Sequence, residues 1–458
     1  MANKKKFKLV DAILATVCIT LVAESVAPTA AIGNSQYFWW ILLIAAFCVP
    51  YGLITAELGS TFDSEGGMYD WVKRAFGKKW AARVAWNYWI NFPLWIASLA
   101  VAVTDVIVGI FGIELSIVWL LVLQLGYTWL VSFLGTQRIG ESKWIVNLGT
   151  FFKIAFMVSL GLLGIYVFIK TGESANPIQG VTDLLPSFDL AGLSFISVII
   201  FNFLGFEVVA TFTQDMENPK KEIPKALIVG GALMALFYIL PATGINIAMS
   251  TADAEAAGLT DAFAILLTNL GVNADIIRVI VIAVGLMFIY TMVANIVSWS
   301  FGVNSVAKYS AEDGGLPKIF AKTNKDGVPY MASILNGVVA TVIVVVGIIL
   351  GVVSESASNL FWTFFSLSLI TLLLSYAPLF LAFLKLRKTD NTERAYKVPG
   401  NKLVLNLITW VPFIMLILSI VFTLFIDFTM ESFMANLPLI IGVAVSIVVQ
   451  EILAARVK

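Results

Sequence analysis

The sequence predicts an all-α protein that crosses a membrane about twelve times. Two observations on composition support this prediction: only 13% of the 458 residues are charged, and the mean hydropathy is +0.92. A water-soluble domain carries roughly 25% charged residues, so this chain has too little polar surface for a globule in water. A third observation is that the apolar residues form long runs of about 20, the length that spans a bilayer as a helix.

Twelve apolar runs have this length. Because the backbone in lipid must satisfy its own hydrogen bonds, each run is predicted to be a helix and not a strand. The predicted spans cover residues 9–32, 37–58, 84–111, 115–135, 144–169, 191–213, 225–249, 277–306, 329–353, 358–384, 403–426 and 433–455. The first run follows a basic start, as a signal peptide does. Asp11 at its beginning, its extension to Ile32 and the spans behind it favour a first membrane helix.

Lysine and arginine predict the orientation. If the N-terminus is cytoplasmic, all but three of the 29 basic residues fall on the cytoplasmic side, as the positive-inside rule requires. The exceptions are Lys170 and Arg278 outside and Lys153 within a span. A missed or extra span would scramble the sides downstream, so the asymmetry supports twelve spans. We expect a multi-pass protein of the plasma (inner) membrane with both termini in the cytoplasm.

Several function classes are disfavoured by what the sequence lacks. No basic cluster is interleaved with aromatic residues, so no nucleic-acid partner is expected. There is no P-loop, no metal-ligand cluster, no nucleophile motif and no large soluble domain, which argues against a primary pump, an enzyme, a bound metal or a cofactor. The chain has no histidine for a proton relay. Cys18 and Cys48 lie in apolar runs and are predicted to pack without a disulfide.

The first and sixth predicted spans contain helix-breaking residues beside carboxylates. The first has Glu24 and Pro28, and the sixth has Gly205 and Glu207 and ends before Pro219. Interrupted helices at corresponding positions of two halves point to a transporter binding site. The two spans are five helices apart, and this odd number implies inverted halves. The alternative is that proline and glycine are simply common in membrane helices.

Ionisable side chains at membrane depth are functional candidates by default. Five are predicted there: Glu24, Glu57, Asp105, Lys153 and Glu207. Glu207 is expected either to exchange a proton as substrate binds or to be locked by backbone donors of the broken turn. Glu24 either balances a cationic substrate or makes a structural hydrogen bond. Lys153 either stands where a sodium-coupled carrier places its ion, which argues against sodium coupling, or pairs with a carboxylate for packing.

The other candidates carry weaker predictions. Glu57, near the cytoplasmic end of the second span, is expected to reach water or a loop, and Asp105 has no predicted role beyond lining a polar cavity. Three aromatic residues lie deep enough to stack on a cation: Phe201, Tyr88 and Trp299. Aromatic residues inside a bundle more often belong to the core.

Three stretches of the chain resemble the amino acid/polyamine/organocation superfamily. They are residues 51–77 with Glu57 and Glu65-Gly66-Gly67, residues 203–224 with Glu207, and residues 298–329 with Trp299. The resemblance covers nearly the whole length. The most similar branches are arginine/agmatine exchangers and glutamate/GABA exchangers, and the third stretch and residues 395–400 resemble the latter especially.

The resemblance implies a LeuT-like fold with a five-plus-five inverted repeat and broken helices 1 and 6. The first repeat would be residues 1–170, the second 171–386, and two extra helices 387–458. The substrate, a small amine or amino acid, would lie between spans one, three, six, eight and ten. The resemblance also allows a homodimer in the lipid bilayer.

Site residues carry over by motif and by spacing. The substrate-binding set is Cys18, Val22, Ala23, Glu24, Phe201, Asn202, Trp299 and Ser368. Phe201 would be an aromatic lid, Trp299 the stacking residue, and Glu207 a gate and proton-linked carboxylate. Tyr88 and Tyr376 would line the gated path, and Lys153 resembles the helix-five lysine of some amino acid carriers, where it substitutes for an ion.

One departure from the superfamily affects the substrate. Amino acid carriers often have Gly-Ser-Gly in the first helix to bind the substrate carboxylate, and the matching positions here are Leu21, Val22 and Ala23. This favours an antiporter that exchanges a cationic amine such as agmatine for putrescine. Since the glutamate/GABA branch also lacks the motif, an amino acid antiporter or a proton-coupled amino acid symporter stays as the alternative. The broken helices argue against a channel, and a chain that ends at Lys458 is expected to lack a C-terminal plug.

Overall fold

A computed structural model describes residues 9–23, 26, 30, 32–62, 64, 66–186, 190–205, 207, 218–251, 253, 258–353, 360–425 and 429–457. Within these ranges the protein is helical, and they contain no β-strand. The predicted all-α class is confirmed for this part of the chain. Cys18 and Cys48 are buried, as their positions in apolar runs predict.

Fifteen helices are numbered here in chain order. They are α1 Leu9–Thr20, α2 Gly33–Thr61, α3 Met68–Phe76, α4 Lys78–Phe111, α5 Ile117–Leu134, α6 Ile139–Thr171, α7 Leu190–Phe201, α8 Pro219–Ala248, α9 Leu259–Asn269, α10 Ala274–Glu312, α11 Tyr330–Val353, α12 Leu360–Thr389, α13 Lys402–Leu424, α14 Met430–Ala435 and α15 Leu437–Arg456. Helix α2 begins with a 3-10 turn and contains a π-helical segment at Ile44–Cys48. Short 3-10 helices follow at Val181–Leu184 and Lys318–Ala321.

Nine helices in the described part of the chain are long and apolar enough to cross a membrane: α2, α4, α5, α6, α10, α11, α12, α13 and α15. They correspond to the second to fifth and the eighth to twelfth predicted spans. The first, sixth and seventh predicted spans contain α1, α7 and α8. The first and the sixth span extend into residues that the structure does not describe. The count of twelve, the two interruptions and the repeat boundaries therefore stay predictions.

Close helix packing positions the site. Helix α4 packs along α12, α6 packs along α8 and α10, and α1 lies against α6, α8 and α10. Glycine permits the α6–α8 approach: a Cβ added at Gly161 would lie 2.4 Å from the Leu240 carbonyl oxygen, and one added at Gly244 would lie 2.4 Å from the Leu160 carbonyl oxygen. Small residues bring helix backbones together in membranes in this way.

Glu57, at the end of α2, reaches a loop and not water. Its carboxylate is 1% exposed and forms a two-pronged ion pair with Arg387 of α12, both N–O distances being 2.6 Å. The Val398 N–H donates to the same carboxylate at 2.7 Å. The carboxylate thus ties α2 to the segment between α12 and α13.

Asp313, just after α10, anchors the amphipathic helix α3. Its carboxylate accepts a hydrogen bond from Tyr69 Oη at 2.7 Å. It also forms ion pairs with Lys73 Nζ at 2.7 Å and with Lys78 Nζ at 3.4 Å. Partial burial opposes ionisation of this group, but the hydrogen bonds from Lys73 and Tyr69 and the nearby positive charges outweigh it and lower the pKa of Asp313. Both anchors lie on the side predicted to be cytoplasmic.

Candidate functional site

Glu207 follows a helix end that needs a glycine. Helix α7 ends at Phe201, and the next residues form a tight turn in which the Leu204 N–H donates to the Phe201 carbonyl at 2.9 Å. Gly205 then adopts φ +109°, a conformation that residues with a Cβ rarely reach. The Gly205 N–H donates to Tyr376 Oη at 3.1 Å. Beyond this turn, the Glu207 side chain lies buried inside the helix bundle.

Three tyrosine hydroxyls surround the Glu207 carboxylate. Tyr88 of α4 donates to Oε1 at 2.7 Å, Tyr376 of α12 donates to the same oxygen at 2.5 Å, and Tyr51 of α2 donates to Oε2. Glu207 is 1% exposed, and the three tyrosines are equally buried. We call these four residues the tyrosine cage. Burial of a carboxylate is costly unless it is hydrogen-bonded, and charge-assisted bonds are about twice as strong as neutral ones, so the cage suits an anion.

A second buried charge lies where α1 ends. Lys153 of α6 is fully buried, and its Nζ donates to the Cys18 carbonyl at 2.8 Å and to the Leu21 carbonyl at 2.5 Å. Asn295 of α10 also donates to the Cys18 carbonyl, at 3.2 Å. Tyr238 of α8 contacts the same segment from another side, where its hydroxyl bonds to backbone groups of Thr20 and Val22. We call residues 18–22 the α1 break, since helical structure ends at Thr20.

An aromatic and amide wall connects the two sites. Trp95 of α4 donates its indole N–H to Asn295 Oδ1 at 3.0 Å, and its ring lies edge-on to Phe201 with centroids 5.5 Å apart. Trp299 stands one turn beyond Asn295 on α10, and its ring centroid is 6.1 Å from that of Tyr88. One face of α10 therefore contacts both the α1 break and the tyrosine cage.

The structure brings part of the predicted site together. Glu207, Tyr88 and Tyr376 are in direct contact, and Trp299 packs against Tyr88. Phe201 instead belongs to an aromatic group with Trp95 and Phe365, whose centroid is 5.0 Å away.

The remaining predicted residues have more local contacts. Ser368 donates to the Asn91 carbonyl at 3.0 Å, and Asn202 and Ala23 are fully buried. Cys18 and Val22 contribute backbone groups to the α1 break. Glu24 lies outside the described residues, and Asp105 is exposed on α4. The transport roles assigned to all of these residues stay predictions.

Sequence reasoning gave no role to Tyr51, Tyr238, Asn295 or Trp95. A signal was present: each is a polar or amphipathic side chain inside an apolar run, and a buried tyrosine or tryptophan usually hydrogen-bonds its polar tip. What the sequence could not supply was the partner, because each of these contacts joins different helices.

Comparison with known proteins decides the family. The amino acid permease family model matches residues 7–449. The chain belongs to the amino acid permease family. Members of this family are transporters, and the apolar helices make this chain a multi-pass membrane protein.

Relatives in the family cover nearly the whole chain. The probable agmatine/putrescine antiporter AguD of Lactococcus lactis subsp. lactis is 44% identical over 99% of this chain and 96% of its own length. The putrescine transporter PotE of Escherichia coli is 26% identical over 83% of this chain and 82% of its own. A glutamate/gamma-aminobutyrate antiporter of L. lactis is 24% identical over 95% and 86%.

A solved structure shows the fold. The manganese transporter of Eremococcus coleocola matches with a TM-score of 0.54 and 12% identity, covering 98% of this chain and 95% of that one. At this identity the likeness concerns the fold alone. It supports the predicted all-α transporter fold, and the family itself is shown by the amino acid permease model.

Proposed function

We propose that the chain is a secondary-active antiporter that exchanges agmatine for putrescine across the plasma membrane. The observation that carries this proposal is 44% identity, over 99% of the chain, to a relative named as a probable agmatine/putrescine antiporter. The match to a putrescine transporter adds support. The distribution of lysine and arginine supports a cytoplasmic location for both termini.

The tyrosine cage offers a counter-charge suited to such substrates. Agmatine and putrescine each carry two positive charges at the ends of an apolar chain. At an effective dielectric constant near 20, unit charges about 4 Å apart attract by roughly 4 kcal/mol, part of which desolvation cancels. Trp299, beside the cage, could add about 0.5–2 kcal/mol of cation–π attraction. A cationic end held at Glu207 would compete with the tyrosine hydroxyls for the carboxylate, which links binding to the contacts among α2, α4 and α12.

Lys153 supports exchange without a metal ion. Its ammonium binds two backbone carbonyls at the α1 break, which are the kind of oxygen ligands that a sodium ion would use. We include in the proposal that Lys153 replaces such an ion. Exchange of one dication for another moves no net charge and needs no ion gradient.

Counterflow in proteoliposomes tests the proposal. Uptake of labelled putrescine should be fast into vesicles loaded with agmatine and slow into empty ones. Unlabelled agmatine and putrescine should compete better than glutamate, GABA or neutral amino acids. Equal uptake into empty vesicles would indicate a channel, and strongest competition by an amino acid would favour the amino acid antiporter or symporter.

Glu24 supplies a second test of substrate charge. Glu24→Gln should weaken competition by cationic amines far more than by neutral amino acids, because it removes a predicted counter-charge. Glu173→Gln, at an exposed loop position, is the matched control and should leave the ranking unchanged. An unchanged ranking in Glu24→Gln would remove Glu24 from the substrate site.

A further inference from the structure

At the α1 break, a backbone donor and a backbone acceptor contact the same side chain. The Leu21 N–H still bonds to the Val17 carbonyl at 2.8 Å, so Val22 carries the first N–H beyond the helical pattern. The Thr20 carbonyl lies at the same break. Helix ends leave such groups unsatisfied, and the lipid interior offers no water to replace the lost bonds.

Tyr238 satisfies both groups with one hydroxyl. Its Oη accepts from the Val22 N–H at 2.7 Å and donates to the Thr20 carbonyl at 2.7 Å. The side chain is fully buried, and its ring stacks on Trp40 with centroids 4.7 Å apart and planes 16° apart. The hydroxyl is therefore held in place by packing as well as by its two bonds.

This arrangement affects which substrates fit. Backbone groups at interrupted helices are where transporters hold the anionic group of a substrate. At this break, a carboxylate could take the Val22 N–H only by displacing the Tyr238 hydroxyl. An ionised carboxylate only accepts hydrogen bonds, so it could not donate to the Thr20 carbonyl in return. An amine does not compete for the N–H and loses nothing.

We propose that Tyr238 is a specificity-determining residue that disfavours substrates with an α-carboxylate and so selects decarboxylated amines. The inference rests on the proposed function, since it explains why an amine is preferred to its parent amino acid. Arginine and agmatine are the matched pair of probes, because they differ only by the carboxylate.

The test compares Tyr238→Phe with the wild-type chain in membrane vesicles. Phenylalanine keeps the ring on Trp40 and removes the hydroxyl that a carboxylate would have to displace from the Val22 N–H. The ratio of half-inhibitory concentrations, arginine over agmatine, should fall at least about tenfold. Tenfold corresponds to about 1.4 kcal/mol, just below the range of one hydrogen bond to a charged group. Tyr127→Phe is the control: it removes another buried hydroxyl, which donates to the Met292 carbonyl at 3.2 Å, and should leave the ratio unchanged.

The outcomes separate this inference from the proposed function. The wild-type ratio tests the proposed function, and the change on substitution tests Tyr238. An unchanged ratio in Tyr238→Phe, with agmatine still competing, would overturn the inference. The ratio of half-inhibitory concentrations does not depend on the amount of folded protein. Tyr238→Met also lacks the hydroxyl and should shift the ratio in the same direction as Tyr238→Phe. Loss of agmatine competition in both variants would make Tyr238 a structural residue only and would equally overturn it.

Discussion

The tyrosine cage and the α1 break each stabilise a buried charged side chain, but with different hydrogen-bonding groups. Each holds a buried charge beside the end of a helix within a predicted interrupted span. Glu207 is held by hydroxyls from α2, α4 and α12, whereas Lys153 is held by two carbonyls of one short backbone segment. A hydroxyl can rotate to another partner, but a carbonyl moves only with its chain. We therefore infer that the Glu207 carboxylate changes partners during transport, whereas Lys153 fixes the α1 break.

Loss of the lysine should have the largest effect on stability. Lys153→Met keeps most of the apolar stem of the side chain but removes the ammonium. The Leu21 carbonyl loses its Lys153 donor, at roughly 1–3 kcal/mol for a buried group left unsatisfied, whereas the Cys18 carbonyl keeps Asn295 as a donor. We expect a clearly lower melting temperature in detergent and little exchange activity. Lys170→Met, at an exposed position near the end of the same helix, should melt like the wild-type protein. Equal melting of the two variants would mean that Lys153 does not stabilise the α1 break.

The cage should respond unequally to loss of its hydroxyls. In the described contacts, Oε2 has the single tyrosine donor Tyr51, whereas Oε1 has both Tyr88 and Tyr376. Tyr51→Phe should therefore slow exchange more than Tyr88→Phe, by up to the roughly 1.5–3 kcal/mol of a hydrogen bond to a charged group. Exchange rates of both variants, normalised to folded protein, check this order. The reverse order would show that Oε1 is the oxygen on which transport depends.

Replacing sodium should have no effect on exchange, which makes it the smallest of the expected effects. If Lys153 fills the position of a metal ion, replacing external sodium by choline leaves counterflow unchanged in proteoliposomes. Potassium in place of choline controls for ionic strength and the choice of cation. A steep sodium requirement would mean that the lysine does not replace the ion.

The sequence predicted the fold better than it predicted the contacts. Hydropathy located the nine long apolar helices of the described residues because a bilayer imposes a length on any spanning helix. The orientation read from the basic residues stays a prediction. Glu207 and Lys153 stood out because a charge inside an apolar run is costly. Tyr88 was singled out by its depth in an apolar run, and the path-lining roles of Tyr88 and Tyr376 came from resemblance.

Tyr51 and Tyr238 were missed for a physical reason. A tyrosine is compatible with an apolar run, and its hydroxyl acquires a role only when another helix supplies the partner. Tyr51 is 156 residues from Glu207 in sequence, and Tyr238 is 216 residues from Val22. Helical periodicity carries no information over such separations.

The pH dependence of exchange in Glu207→Gln tests most directly whether the cage carboxylate titrates or gates during transport. Glutamine has nearly the same volume, so the fold should persist, but it cannot take up or release a proton. We expect wild-type exchange to vary between about pH 5 and pH 8 and the variant to show a flat, reduced rate. Glu114→Gln, at an exposed loop position, should keep the wild-type profile. A variant that keeps the wild-type rate and pH profile would contradict the account and leave Glu207 a structural residue.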